Sequence, residues 1–320
     1  MKKWLLTFML AIFAVVLAAC GSDDTAKDEG KSGDKPKEEA KEITVKHKYG
    51  EAKVPVNPEK VVVFDFGSLD TIHALGETDS VAATAKETLP PYLSDFDKDS
   101  VVNAGGLKEP DFEAINEVQP DLIIISGRQA DSYDKFAEIA PTVYVELDPA
   151  KYMESFESNV NMIAEIYGKE DVAKEKIAEV EAAVEDLKGK VDTNKKGLIT
   201  LTSAGEISAY GSGSRFGIIH DVFGVTPADK DIKVETHGNT VTSEYILEKN
   251  PDYLFVVDRD AAIEESHSGK ETIENEIVKK TNAFKDGKIV YLDPEYWYLS
   301  GGGIESVTEM VKEVSEGITK

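Results

Sequence analysis

"PDLIIISGRQ" at residues 120–129 and "PDYLFVVDRD" at residues 251–260 follow one plan: Pro-Asp, an apolar run, then an arginine eight positions after the proline. The likeness extends upstream, where "EAINEVQPD" (113–121) and "EYILEKNPD" (244–252) keep Glu, Ile, Glu, Pro and Asp in register. Proline ends a helix because it lacks an N–H and its ring clashes with the preceding turn. An unbroken apolar run of this length reads as a strand buried on both faces, as at the centre of a parallel sheet. The repeated unit is therefore helix, turn and central strand. Used twice, it predicts two α/β lobes. Each arginine then stands just past the C-terminal end of a central strand, where open α/β sheets bind ligands.

The flanking sequence agrees. "KVVVFDF" (60–66), "SVAATA" (80–85) and "TVYVEL" (142–147) read as strands, and "GSLDTIHALG", "PDFEAINEVQ" (110–119) and "DSYDKFAEIA" as helices. Strands alternating with helices argue for a mainly parallel sheet. Ahead of them, "ITVKHKYGEAKVPV" alternates about a turn at Tyr49-Gly50 and predicts a hairpin. In 152–167, Tyr152, Phe156, Val160, Ile163 and Tyr167 recur at helical spacing, and in 170–190 Ala173, Ile177, Val180, Val184 and Leu187 do the same. "GLITLTS" (197–203) opens a second series of strands and helices that closes with a helix near 304–318. The fold class is α/β, with two Rossmann-like lobes and a ligand cleft between them.

The N-terminus carries an address. Met1-Lys2-Lys3 is a basic start, Trp4 to Val16 is apolar, and Leu17-Ala18-Ala19-Cys20 reads as a lipoprotein cleavage box. The apolar run is shorter than the roughly 20 residues a spanning helix needs. It resembles a bacterial lipoprotein signal, so residues 1–19 are expected to be removed and Cys20 to carry lipid. A diacylglyceryl group supplies two chains, enough for stable anchoring. Residues 20–42 then form a tether, because "GSDDTAKDEGKSGDKPKEEAK" has no large apolar side chain to bury. The expected location is the outer face of the cytoplasmic membrane. Cys20 is the chain's single cysteine, so no intrachain disulfide can form.

A formal charge of −25 disfavours nucleic acid as a partner and makes any anion site a local exception. Against that background the arginines stand out. Only three of the 36 basic residues are arginine, at 128, 215 and 259. Arg215 lies in "AYGSGSRFG", a Gly/Ser loop between a strand and a helix. A guanidinium is a permanently charged planar fork that pairs with oxyanions and stacks on aromatic rings, which lysine cannot imitate. The alternative is that each makes an ordinary salt bridge with the abundant Asp and Glu.

The lipoprotein box, the two α/β lobes, the helix at 151–167 and the paired "E-x-I-x-E-x-x-P-D" units resemble substrate-binding proteins of iron-siderophore and vitamin B12 ABC importers. "VVVFDFGSLDTIHALG", "PDLIIISGRQ", "AYGSGSRFG" and "YWYLSGGG" are similar to the ferric-catecholate subgroup, which includes petrobactin binders. The resemblance covers roughly residues 43–318. It implies an N-terminal lobe at 43–150, an interlobe helix at 151–167 and a C-terminal lobe at 168–320. It also implies a ferric siderophore complex as ligand, no intrinsic cofactor, and a permease dimer with a cytoplasmic ATPase as partner. Arg128, Arg215 and Arg259 fall at the subgroup's three cationic ligand-binding positions. His237 and Tyr298 fall where some relatives ligate ferric iron directly. Glu113 and Glu244 fall where a carboxylate on each lobe meets basic pockets of the permease. A monomer with a small hinge motion is expected.

Tyr210, Trp297 and Tyr298 can supply aromatic walls to the cleft. "GSGSRFG" and "SGGGIES" lack the Gly-Lys-Ser/Thr ending of a nucleotide loop, though their backbone N–H groups can face an anion at a helix start. The remaining histidines, 47, 73, 220 and 267, show no metal spacing, which argues against a metal-ion carrier. Haem or cobalamin would suit the same fold, but three arginines suit a more anionic ligand. No nucleophile–base pair or carboxylate dyad appears, so no enzymatic activity is expected.

Overall fold

The computed structural model describes residues 41–263 and 269–320. Cys20, the tether up to residue 40 and His267 lie outside the described residues. Glu42–His47 (β1) and Gly50–Pro55 (β2) pair as the expected hairpin, with His47 opposite Gly50. The turn is Lys48-Tyr49, one residue earlier than read above, because Gly50 at φ 130° already belongs to the second strand.

Val61–Val63 (β3), Val81–Thr84 (β4), Val102–Asn103 (β5), Leu122–Ile125 (β6) and Thr142–Tyr144 (β7) form an all-parallel sheet in the order β5-β4-β3-β6-β7. β3 and β6 are buried throughout, as their apolar runs require. The chain builds outward from β3 to β5, then returns to lay β6 beside β3. The gap past the ends of β3 and β6 is therefore a topological switch point, the place where such sheets admit ligands.

The second sheet comprises Lys196–Ser203 (β8), Glu206–Tyr210 (β9), Thr226–Pro227 (β10), Asn239–Val241 (β11), Tyr253–Asp258 (β12) and Ile289–Leu292 (β13). Its order is β11-β9-β8-β12-β13, with β10 also on β8. It is mixed, not purely parallel. β8 turns straight into antiparallel β9 through Ala204 and Gly205, at φ 50° and 78°, the positive pair that a tight hairpin demands.

The repeated unit is what aligns the two lobes. Helix Phe112–Val118 is capped by Asp111 and helix Ser243–Lys249 by Thr242. Both end on a left-handed residue, Gln119 at φ 52° and Asn250 at φ 41°, before the proline. The aspartate that follows then ties its strand to the next one. Asp121 Oδ2 accepts from the N–H groups of Glu59 and Lys60, and the Asp121 N–H donates to Lys60 O at 2.9 Å. Asp252 Oδ2 accepts from Lys196 N–H at 2.8 Å, and the Asp252 N–H donates to Lys196 O. Each aspartate thus sets the register of two central strands, β3 with β6 and β8 with β12.

Helix Tyr152–Tyr167 buries all five residues named for it and stops at Gly168 in the left-handed conformation. Helix Glu170–Lys190 buries its own predicted stripe and packs against the closing helix, Ile304–Thr319. The closing helix also returns to the first lobe, against Phe66–Ala74. One apolar core consequently runs from Val45 to Ile318 through both lobes, with a smaller one under β8, β9 and β12. Among the described residues no helix is long and apolar enough to cross a membrane.

Candidate functional site

Arg128, Arg215 and Arg259 meet at one side chain, Tyr298. Their guanidinium carbons lie 5.9, 4.3 and 5.9 Å from its ring centre. Arg128 follows β6 in a tight turn, Gly127–Ser132, whose start is closed by reciprocal bonds between Ser126 and Gln129. Its Nη2 donates to Tyr298 O at 2.7 Å and its Nη1 to Leu299 O at 3.4 Å. Arg215 Nη2 donates to the same Tyr298 O at 2.6 Å. Arg259 follows β12 and takes the other end of the tyrosine. Its Nε donates to Tyr298 Oη at 3.1 Å and its Nη1 to Ser203 Oγ at 3.0 Å, with Asp260 Oδ1 at 3.3 Å.

The charges are unequally compensated. Arg259 has the buried carboxylate of Asp260 beside it. Among the described residues no carboxylate lies within ion-pair distance of Arg128 or Arg215, whose partners are neutral carbonyls. A half-buried guanidinium without a carboxylate in contact is costly, and Asp65 acts on Arg128 only from across the cleft, so this pair favours an incoming anion. The local field acts on the ionisable groups of the site. Burial pushes the Tyr298 phenol up, but Arg215, Arg259 and Arg128 outweigh it and hold the group below the ordinary tyrosine value. Burial, then Arg215, pulls the Arg128 guanidinium down.

These groups open on a cleft of about 380 Å³, lined by Arg128, Arg215, Trp297, Tyr298, Tyr144 and Asn159 among others. Asp65 and Ser126, at the ends of β3 and β6, also line it, so the cleft occupies the switch point. Arg259 supports Tyr298 without lining the cleft itself. Tyr210 is buried, packing edge-on against Phe216 at 4.8 Å, and Phe216 in turn lies 6.5 Å from Trp297. It is a floor under the site, not a wall. Trp297 donates from Nε1 to Glu313 Oε2 at 2.7 Å. His237 is exposed on the loop before β11 and is not among the cleft-lining residues. Glu113 and Glu244 hold the second position of their matched helices and are both exposed.

Both glycine loops differ from expectation. The Gly213 N–H donates to Asp221 Oδ2 at 2.6 Å, and the first N–H groups of helix Ile304–Thr319 donate to Asp70. The anion that each loop faces is a carboxylate of the chain itself. His73 and His220 are likewise engaged by the chain itself, His73 across the fold with Glu305 and His220 locally with Val225 O. Among the described residues no three His, Cys, Asp or Glu side chains gather as a metal-holding group.

A family profile described as periplasmic binding protein matches residues 61–296. The chain belongs to that family. Its members bind and carry a substrate and do not transform it. Petrobactin-binding protein YclQ of Bacillus subtilis is 51% identical, with 100% of each chain covered. The crystal structure of YclQ matches with a TM-score of 0.86 at 53% identity, covering 88% of this chain and 99% of that one. The periplasmic catecholate-siderophore binding protein VctP of Vibrio cholerae matches with a TM-score of 0.80 at 32% identity, covering 86% and 100%. Both matches carry the two-lobed fold.

Proposed function

We propose that this protein captures an anionic ferric-catecholate siderophore in the cleft and delivers it to the permease of an ABC importer. The observation that carries the reading is the Arg128–Arg215 pair, two guanidiniums on one carbonyl oxygen with no carboxylate in ion-pair range among the described residues. A ferric tris-catecholate brings three negative charges. One contact at ~4 Å and an effective dielectric of ~20 gives about 4 kcal/mol of attraction before desolvation. The relatives named for petrobactin and catecholate siderophores support the same ligand class.

In this reading Arg128 and Arg215 pair with catecholate oxygens while Trp297 and Tyr298 pack against the rings. Arg259 completes the cationic trio from behind Tyr298. Where a catecholate siderophore leaves iron sites open, Tyr298, its phenol held below the ordinary tyrosine value, is the candidate oxygen donor, with His237 reaching the metal only if its loop moves inward. Glu113 and Glu244 dock the two lobes on a permease dimer driven by a cytoplasmic ATPase. Lipid on Cys20 holds the protein, as a monomer, at the outer membrane face. Haem and cobalamin fit the fold but bring less negative charge to the arginines than a ferric tris-catecholate does.

The test is a fluorescence-quenching panel with ferric tris-catecholate, a neutral ferric hydroxamate, haem and cobalamin. Preferential binding of the catecholate is expected. Equal affinity for the neutral hydroxamate would overturn the assignment.

A further inference from the structure

Asp70 is a carboxylate with no contact to solvent in the middle of helix Phe66–Ala74. Such a group is unfavourable unless its oxygens are fully used. They are used by a segment more than two hundred residues away. Asp70 Oδ1 accepts from Glu305 N–H at 2.8 Å and Oδ2 from Ser306 N–H at 2.7 Å, while Tyr92 Oη donates to Oδ2 at 3.2 Å. The two amides belong to the unpaired first turn of helix Ile304–Thr319, where a negative charge is favoured by the helix dipole. Gly303 stands at the capping position with no side chain to serve it, and the first lobe supplies the cap instead.

The fit admits nothing larger. A Cβ on Gly303 would overlap the Asp70 carboxyl group, and one on Gly67 would come 2.8 Å from Ser300 O. The stretch held this way, Ser300–Gly303, directly follows Tyr298 and Leu299, whose carbonyls take the Arg128 guanidinium. The first lobe therefore grips the ligand-facing segment twice, through Arg128 from β6 and through Asp70 from the neighbouring helix.

We propose that Asp70 is a positioning residue for ligand capture, pinning the Ser300–Gly303 turn so that Tyr298 is presented to the three arginines before ligand arrives. Preorganisation of this kind raises affinity by removing an ordering cost from the binding step. The charge is kept at some expense. Burial raises the Asp70 carboxyl to about 6 despite its two amide donors, so an ionised group is maintained where an apolar one would be cheaper. The capture role rests on the cleft assignment above; the positioning role does not.

Changing Trp4 to Phe leaves Trp297, next to Tyr298, as the single tryptophan of the full chain. In that background Asp70→Asn keeps the size but loses one acceptor. Trp297 emission should shift to the red, and affinity for ferric tris-catecholate should fall about tenfold, the loss of roughly one charged hydrogen bond. Arg128→Ala, which removes the first lobe's other grip on the segment, should shift the emission as well and lower affinity further by taking a cation from the cleft. A folded Asp70→Asn protein whose emission or affinity stays at the parent value overturns the proposal. If the parent itself binds no ferric catecholate, the cleft assignment has failed, and the emission alone decides on positioning. If Asp70→Asn does not fold, the parent's emission is followed against pH. Burial raises the Glu313 carboxyl beside Trp297 to about 7, while Glu305, Tyr92 and Tyr152 are the titratable groups that act on Asp70, and His73 is bonded to Glu305 and Asp95. In a Glu313→Gln, His73→Gln protein a step near pH 6 should remain, and a flat profile overturns the proposal.

Discussion

In the first lobe the strand ending at Ile125 sends Arg128 across the cleft to the Tyr298 and Leu299 carbonyls. In the second, the strand ending at Asp258 keeps Arg259 within its own lobe, on Ser203 and Asp260 as well as on the Tyr298 hydroxyl. The helix, the left-handed residue, the proline and the strand-tying aspartate before them are the same. A duplicated scaffold thus delivers two guanidiniums to one tyrosine, one neutralised at home and one not. The backbone unit fixes where an arginine stands; its neighbours decide how much charge remains for a ligand.

The largest effect expected from breaking this pairing lies outside the cleft. Replacing Glu113 and Glu244 together by alanine should reduce cellular uptake to background while leaving ligand titrations unchanged, because neither lines the cleft. Normal transport by the double variant would remove them from the docking role. Next come the arginines. Arg128→Ala and Arg215→Ala should each weaken ferric-catecholate binding by roughly 1–3 kcal/mol, the range for a charged hydrogen bond. Arg259→Ala should cost less, since Asp260 already shares its charge. Lysine at 128 should recover only part, as charge returns without the planar fork. Equal losses at 128 and 259 would mean the lobes are more alike than their ion pairing suggests.

Smaller effects probe the scaffold. Asp121→Asn and Asp252→Asn each remove an acceptor from one strand junction and should lower the melting temperature by similar amounts, roughly 2 °C apiece. A large drop at one alone would show that the units are not equivalent. The smallest effect is the share of the pH dependence that comes from the second lobe's end of the site. Burial raises the Glu313 carboxyl to about 7, although Trp297 and the Asp293 amide donate to it. Its contribution to stability is complete below about 4.5 and is lost as pH rises through about 7. Glu313→Gln should therefore reduce the fall in stability across that window without abolishing it, because Asp70, raised to about 6, contributes with the same sign; thermal melts from pH 4 to 8 measure it.

Much of this was legible in local pattern. Pro120 and Pro251 marked the paired strands, and the scarcity of arginine against lysine marked the three side chains that gather at Tyr298. The same proline-aspartate pair hid a second message, since the aspartates and the equivalent lysines, Lys60 and Lys196, tie neighbouring strands together across the chain. No local spacing reveals that partnership, nor the one between Asp70 and the turn at Gly303. The glycines of "SGGG" were visible, but their cause is a carboxylate from the other end of the fold. The mixed second sheet was missed because Ala204-Gly205 is a two-residue hairpin turn inside what reads as one strand and a loop. His237 is exposed and does not line the cleft, which its place in the sequence does not reveal.

The central claim is that one arginine from each lobe acts on a single anionic ligand. A double-mutant cycle of Arg128→Ala and Arg259→Ala, titrated with ferric tris-catecholate and with a neutral ferric hydroxamate, tests it most directly. The account predicts that each change weakens the catecholate complex, that the two couple by at least about 0.5 kcal/mol through Tyr298 and the shared ligand, and that the neutral complex is little affected. Wild-type catecholate affinity in both single variants would contradict it.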